Sequence, residues 1–217
     1  MHEGLLIALL IIGAYLLGSI PTAVWVSKIF FKMDIRDHGS GNAGATNVLR
    51  VLGRAAAIPV FVVDAAKGWG AVMLGWFTSL APEAFGMEFS ESFVFLRIGL
   101  MAAAILGHIF PIFASFRGGK GLATIAGALI AISPIPLIGS FTAFVIGWST
   151  SGYLSLGSVL AALTFPIWTV LEYVIFYHEV SPTMTIFSVM VGSMLIYTHR
   201  SNIKRLRAGT ESKTRLF

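Results

Sequence analysis

The sequence predicts an all-α polytopic membrane protein with seven transmembrane helices, the N-terminus outside and the C-terminus cytoplasmic. Three observations carry that prediction. Of 217 residues, 56% are hydrophobic and 12% charged, where soluble domains carry about 25% charged residues. Apolar stretches at 5–26, 55–80, 93–113, 153–177 and 183–199 each approach the roughly 20 residues that a helix needs to cross the hydrocarbon core. Lys and Arg are distributed between those stretches in alternation, as expected where cytoplasmic loops retain the cations. The whole of residues 1–217 reads as a single integral membrane domain.

The first stretch, 5–26, lacks a basic start and a small-residue cleavage site, so it reads as a retained anchor rather than a signal peptide. Pro21, after Gly18 and Ser19, predicts a kink near its end. Lys28, Lys32, Arg36, Arg50 and Arg54 follow it, placing that connection in the cytoplasm. The second and third stretches are joined by a segment with Glu83, Glu88 and Glu91 and no cation, consistent with the outer face. Arg117 and Lys120 after the third stretch return the chain to the cytoplasm. Residues 121–149 are too long for one span and too short for two full ones, with Pro134 and Pro136 at the middle. They predict a hairpin of two short helices. Two crossings there are needed if Arg200, Lys204, Arg205, Arg207, Lys213 and Arg215 are to be cytoplasmic, with Glu179 on the outer turn. The formal net charge of +5 is thus a matter of topology, and no nucleic-acid partner is implied.

Four polar groups stand out against this background. Gly39-Ser40-Gly41-Asn42-Ala43-Gly44-Ala45-Thr46-Asn47, followed by Arg50, can neither span nor make a good isolated helix. Glycines turn successive N–H groups toward one point, and Ser, Thr and Asn add donors suited to phosphate; Arg50 adds a two-pronged cation. A flexible cytoplasmic loop has the same composition. Arg117-Gly118-Gly119-Lys120-Gly121 precedes a helix whose N-terminus adds unpaired N–H groups and a positive dipole end, which favours an anion over a mere topological turn. It is not a Walker A loop, because Gly121 follows Lys120 and Ala114 stands where the first glycine would be. Ser151 to Ser158 leads into the sixth span, and His199, Arg200, Ser201, Asn202 and Lys204 follow the seventh. Each of these last two groups alone is explained by helix packing or end capping. All four groups falling at one membrane face suits a polyanion that carries an acyl chain.

Asp64 and Lys67 lie three apart in the second span, on one helical face, and are expected as a structural ion pair. His108, before Pro111, is read the same way.

Several chemistries are excluded. With no Cys, disulfides, thiolate zinc sites and cysteine nucleophiles are absent. No Asp sits five places after any of the five His, and no Gly-x-Ser-x-Gly elbow or His-Glu-x-x-His occurs. No acidic cluster suggests paired metals, so no metal and no cofactor is expected. An enzyme with this sequence needs a substrate already activated and a means of binding anions. An anion transporter is less favoured, since it predicts midplane sites and repeated halves; a structural scaffold leaves the polar motifs unexplained.

In their order, the nine-residue first motif with Arg50, the Gly118-Gly119-Lys120-Gly121 loop, Ser155-Leu156-Gly157-Ser158 and the His199 to Lys204 ending resemble the bacterial acyl-phosphate:glycerol-3-phosphate acyltransferase family. The resemblance runs from Gly18-Ser19-Ile20-Pro21 to Gly209-Thr210-Glu211 and includes Asp64-Ala65-Ala66-Lys67-Gly68; the stretch from Glu172 to Pro182 is somewhat longer than the family's pattern. It implies an inner-membrane enzyme with a cytoplasmic active site. That enzyme would move a fatty acyl group from acyl phosphate to the 1-hydroxyl of glycerol 3-phosphate, giving lysophosphatidate and phosphate, the first acylation step of phospholipid synthesis. By the same resemblance Lys120, Arg50, Ser155 and His199 are the catalytic residues. Ser40, Gly41, Asn42, Gly44, Thr46, Asn47, Gly118, Gly119, Gly121 and Asn202 bind substrate. Ser40, Thr46 and the first glycine loop would hold acyl phosphate. Arg50, Lys120, Ser155, His199 and Asn202 would position glycerol 3-phosphate, with membrane lipid as surroundings.

Overall fold

The computed structural model describes residues 2–83, 90–177, 180–211 and 213. Glu88, Glu179 and Arg215, which entered the assignment of faces, lie outside the described residues. Every regular element among the described residues is helical, and the chain divides into two compact units, Met1–Ile132 and Ser133–Phe217.

In the first unit α1 (Glu3–Gly18) and α2 (Thr22–Phe31) share the first apolar stretch. Pro21 does more than kink it: lacking an N–H and clashing with the preceding turn, it ends α1. The carbonyl of Ile20 exposed by the break accepts instead from Lys67 Nζ at 2.7 Å. After a short turn at Ile35–Asp37 comes α3 (Ala45–Leu52), an amphipathic helix of eight residues. An isolated helix shorter than about 12 residues is marginal, so α3 depends on the fully buried Val48 and nearly buried Asn47. Next come α4 (Arg54–Met73) and α5 (Glu91–Ile109), continued by 3-10 turns, and then α6 (Leu122–Ile132).

Glycine sets the spacing of these helices. A Cβ on Gly68 would lie 2.0 Å from the Thr124 carbonyl oxygen, and one on Gly127 would lie 1.8 Å from that of Ala65. Helices α4 and α6 therefore meet backbone to backbone at two levels, as small residues allow in membrane helices. The same reciprocal contact joins α1 to α5, where Gly18 faces Ala104 and Gly107 faces Tyr15. At 11 residues α6 is shorter than the roughly 20 of a full crossing, and its last turn is met by Arg97, buried in α5, whose guanidinium donates to the Ala131 carbonyl.

In the second unit α7 (Pro134–Ser151) begins at Pro134, a residue suited to the first helical position. The predicted break in 121–149 thus falls at Ser133, between α6 and α7. Helix α7 meets α8 (Leu154–Glu172) where a Cβ on Gly157 would come 2.5 Å from the Phe144 carbonyl oxygen. A π-turn, Tyr173–Tyr177, extends α8 within the stretch that is longer than the family pattern. Helix α9 (Pro182–Thr198) packs on α8 through Gly192, and α10 (Arg200–Arg207) follows directly. Among the described residues, four helical stretches are long and apolar enough to cross a membrane: Glu3–Phe31, Arg54–Phe77, Glu91–Ala114 and Leu154–Phe176.

Candidate active site

The first glycine-rich segment is held by its own asparagine. Asn47 Oδ1 accepts from the Ser40 N–H at 2.9 Å, and Nδ2 donates to the carbonyls of Ile35 at 3.1 Å and His38 at 2.9 Å. With its amide fully engaged in this way, Asn47 shapes the loop, and its side chain does not serve as a donor to a ligand. Upstream, Asp34 takes a bidentate grip from Arg36 (2.9 and 2.7 Å) and an ion pair from Lys28 (3.0 Å). The Arg36 guanidinium beside it holds the Asp34 carboxyl well below the usual carboxylate range. Arg36 also donates to the Ala114 carbonyl at 3.0 Å, tying the connection between α2 and α3 to the one between α5 and α6.

In that second connection the chain doubles back on the end of α5. The Gly118 N–H donates to the Ile109 carbonyl, and the Gly119 N–H to that of His108, both at 3.1 Å. The two donors that composition offered to an anion are thus engaged by the chain itself. Gly121 adopts a φ of +77°, a left-handed conformation that a side chain would strain, and α6 starts immediately after it.

Both segments open on one cavity of about 330 Å³ within the first unit. Ser40, Asn42, Gly44, Thr46, Asn47 and Arg50 line it from one side, Lys120 and Gly121 from the other; Gly41, Gly118 and Gly119 do not reach it. Helices α3 and α6 both begin there. Among the described residues the first-turn N–H groups of Ala45, Thr46, Leu122 and Ala123 have no internal partner. The side chains of Arg50 and Lys120 are exposed and make no hydrogen bond or ion pair with any described residue. Two positive helix ends and two exposed cations around one space form a surrounding suited to an anion.

Asp64 and His108 form the floor, a position sequence reasoning did not give them. Their polar character in an apolar span was the available signal, but it is explained equally well by the ion pair itself. That pair forms as expected: Asp64 Oδ1 lies 2.8 Å from Lys67 Nζ and accepts from Thr22 Oγ1 at 3.1 Å. Beside the cavity runs an apolar groove of about 350 Å³, lined by Leu49, Ala57 and Ile58 with Arg54 and sharing Ala45, Thr46 and Phe61 with it. A polar space and an apolar groove in continuity fit a phosphate that carries a hydrocarbon chain.

In the second unit Asn202, one of the remaining predicted residues, bonds to Glu211. Asn202 Nδ2 donates to its Oε1 at 2.9 Å and Arg205 Nε to its Oε2 at 2.6 Å. Hydrogen bonds from Asn202 and Arg205 push the Glu211 carboxyl down to about 2. His199 sits between α9 and α10, with Nδ1 2.9 Å from the Leu195 carbonyl oxygen. A carbonyl only accepts, so the proton of the neutral ring is on Nδ1 and the lone pair on Nε2. Glu211 was named in the sequence only as part of the terminal motif and given no role. Its being the only acid after Glu179, amid cations, was the signal.

The family model described as glycerol-3-phosphate acyltransferase matches residues 8–209. The chain belongs to this family. A glycerol-3-phosphate acyltransferase of Enterococcus faecalis is 41% identical over 212 residues, covering 95% of this chain and 91% of its own. One of Chlorobaculum tepidum is 40% identical over 222 residues, with 94% of each chain covered. Among solved structures, the chain is similar to PlsY (YgiH), an integral membrane glycerol 3-phosphate acyltransferase, in its glycerol 3-phosphate form. The TM-score is 0.67 at 32% identity, with 96% of each chain covered. The lysophosphatidic acid form of PlsY gives a TM-score of 0.64 at 33% identity, covering 95% of this chain and 94% of that one. This acyltransferase is therefore a membrane-embedded enzyme whose described residues form only helices.

Proposed function

We propose that this acyltransferase uses acyl phosphate as donor and binds its phosphate in the cavity of the first unit. The reaction gives lysophosphatidate from glycerol 3-phosphate, the first acylation step of phospholipid synthesis. The observation that carries the proposal is the pairing of two helix N-termini with two cations around a space that continues into an apolar groove. Ser40, Gly44 and Thr46 hold the donor phosphate, and the acyl chain lies along Leu49, Ile58 and Phe61. Arg50 and Lys120 offset the repulsion of two phosphates, and Ser155, His199 and Asn202 act on glycerol 3-phosphate.

The 1-hydroxyl oxygen attacks the acyl carbonyl carbon, and the bond from that carbon to the phosphate oxygen breaks. The anhydride leaving group is phosphate, so no enzyme nucleophile is needed. The hydroxyl proton passes to a substrate phosphate oxygen. A second route sends it to His199, whose Nε2 has the lone pair a base requires because Nδ1 faces Leu195. Preorganised cations and backbone N–H groups supply the rest, by holding the reactants together and stabilising the charge that develops.

The alternation of cations favours seven spans with the N-terminus outside, so that the site faces the cytoplasm from the bacterial inner membrane. The decisive experiment supplies detergent-purified protein with labelled glycerol 3-phosphate and one donor at a time, then separates lysophosphatidate by its lipid mobility. Acyl phosphate gives product, and acyl-CoA or acyl carrier protein thioesters give none. Comparable product from a thioester, free of any acyl-phosphate-forming enzyme, overturns the donor assignment.

A further inference from the structure

The floor of the cavity is a buried polar knot, and it does more than hold helices together. Lys67 fastens the break between α1 and α2 through the Ile20 carbonyl, while Asp64 takes both Lys67 and Thr22. His108, 6% exposed, joins the knot from α5: its Nδ1 lies 3.8 Å from Asp64 Oδ1 and 3.2 Å from the hydroxyl of Thr124, a fully buried residue in the first turn of α6. Its main-chain carbonyl accepts the Gly119 N–H. The ring also lies directly under Gly119, where a Cβ would come 2.2 Å from Nε2 and 2.8 Å from the Ala43 carbonyl oxygen. Gly119 is thus clamped between the His108 ring and the first glycine segment, one residue before Lys120.

We propose that His108 is a positioning residue, fixing the Gly118–Gly121 turn and the first turn of α6 so that Lys120 and the α6 N-terminus face the cavity. The inference rests on the reading of that cavity as the phosphate site. Two contacts define the role: the ring supports the turn by shape at Gly119, and Nδ1 fixes α6 by its bond to Thr124. An apolar ring of similar size would fill the space but leave the buried Thr124 hydroxyl without this partner, which is why the position takes a polar aromatic. A sub-ångström shift of the turn carries Lys120 with it, because only Lys120 and Gly121 separate Gly119 from the helix.

The test is a double-mutant cycle on purified, monodisperse protein with acyl phosphate and glycerol 3-phosphate, read as kcat/KM per folded molecule. His108→Ala and Thr124→Val are each made alone and in a Lys120→Ala background. A misplacement of about 1 Å costs on the order of 100-fold, and that is the loss expected from His108→Ala in the native background. Once Lys120 is gone there is no ammonium left to misplace, so the further loss shrinks to the part carried by the α6 N-terminus, on the order of tenfold or less. His108→Asn, which keeps a polar atom near Nδ1, recovers at least about tenfold of the loss that mispositioning causes. Should His108→Ala not fold, Thr124→Val carries the same cycle, since it removes only the hydroxyl. Losses that multiply undiminished in the Lys120→Ala background overturn the proposal, as does an Asn variant no better than Ala. Near-normal turnover of Lys120→Ala alone overturns the phosphate-site reading, whatever the variants at 108 do.

Discussion

The rim and the floor of one cavity hold charges of opposite kinds. On the rim, Arg50 and Lys120 are exposed and meet no counter-charge among the described residues. On the floor Asp64, 1% exposed, bonds to Thr22 and to Lys67, which is 5% exposed, lies outside the cavity lining and donates to the Ile20 carbonyl. A buried charge is tolerated only when paired, because desolvation is otherwise too costly. An unpaired cation where two helix N-termini also point adds to a local field that only a ligand neutralises. Pairing suits the floor to maintaining the fold, and exposure suits the rim to the phosphate role proposed for it. Variants on either side separate the two roles.

The largest effect belongs to the floor. Asp64→Asn leaves Lys67 buried without its counter-ion, and breaking such a pair costs about 3–5 kcal/mol of stability. Folded yield and the thermal midpoint fall, while activity per folded molecule changes less. A stable Asp64→Asn protein with lost turnover would break the comparison by moving Asp64 into the chemistry. Next in size is the rim. Lys120→Ala raises the barrier by about 2–4 kcal/mol, since a preorganised charge at the transferring phosphate is removed. The protein stays inserted and monodisperse because the side chain holds nothing in place. Steady-state turnover together with size-exclusion chromatography checks both halves of that statement.

How much of this was legible in the sequence differs between floor and rim. The rim was readable because glycine clusters and cations have no packing reason to occur together at one membrane face, and eight of the residues so named line the cavity. The same reading could not assign individual N–H groups. Those of Gly118 and Gly119 are engaged by the carbonyls of Ile109 and His108, and the Asn47 amide by its own loop. Such bonds depend on where a turn folds back, which composition does not encode. The ion pair of the floor followed from the i, i+3 spacing, but its place under the cavity depends on glycine contacts between α4 and α6, distant in sequence. Apolar runs located the long helices, and Pro134 marked a helix start. The eight-residue α3 escaped, because it has no apolar run of its own and gains its stability from tertiary burial of Val48.

A smaller effect sharpens the rim. Arg50→Lys keeps the charge but loses the planar fork, so kcat/KM falls by the equivalent of about 1–2 kcal/mol, the worth of a charge-assisted hydrogen bond. Activity equal to that of Arg50 would mean that only the charge matters at this position, and the bidentate grip would be withdrawn. The check is a full substrate titration, because loss of uniform phosphate binding appears in KM whereas loss of transition-state contact appears in kcat.

The smallest effect concerns a third kind of charge, paired like the floor but near water like the rim. Glu211 in the second unit is held by Asn202 and Arg205, which lower its carboxyl from 4.5 to about 2. A carboxyl depressed by folding adds stability that is fully present above the ordinary value and is lost as the pH falls toward the folded one. Glu211→Gln keeps one acceptor for Asn202 but removes the charge opposite Arg205, so its thermal midpoint lies below that of the native protein at neutral pH. The gap should stay constant down to about 4.5 and close between there and about 2. Because surface ion pairs are screened, the gap should also narrow in high salt. Thermal unfolding of both proteins across that pH window, at low and high salt, makes the measurement. A gap that is constant in pH and salt would show that Glu211 acts by shape and hydrogen bonding alone, and the distinction between paired charges at the surface and paired charges in the core would then rest on burial rather than on ionisation.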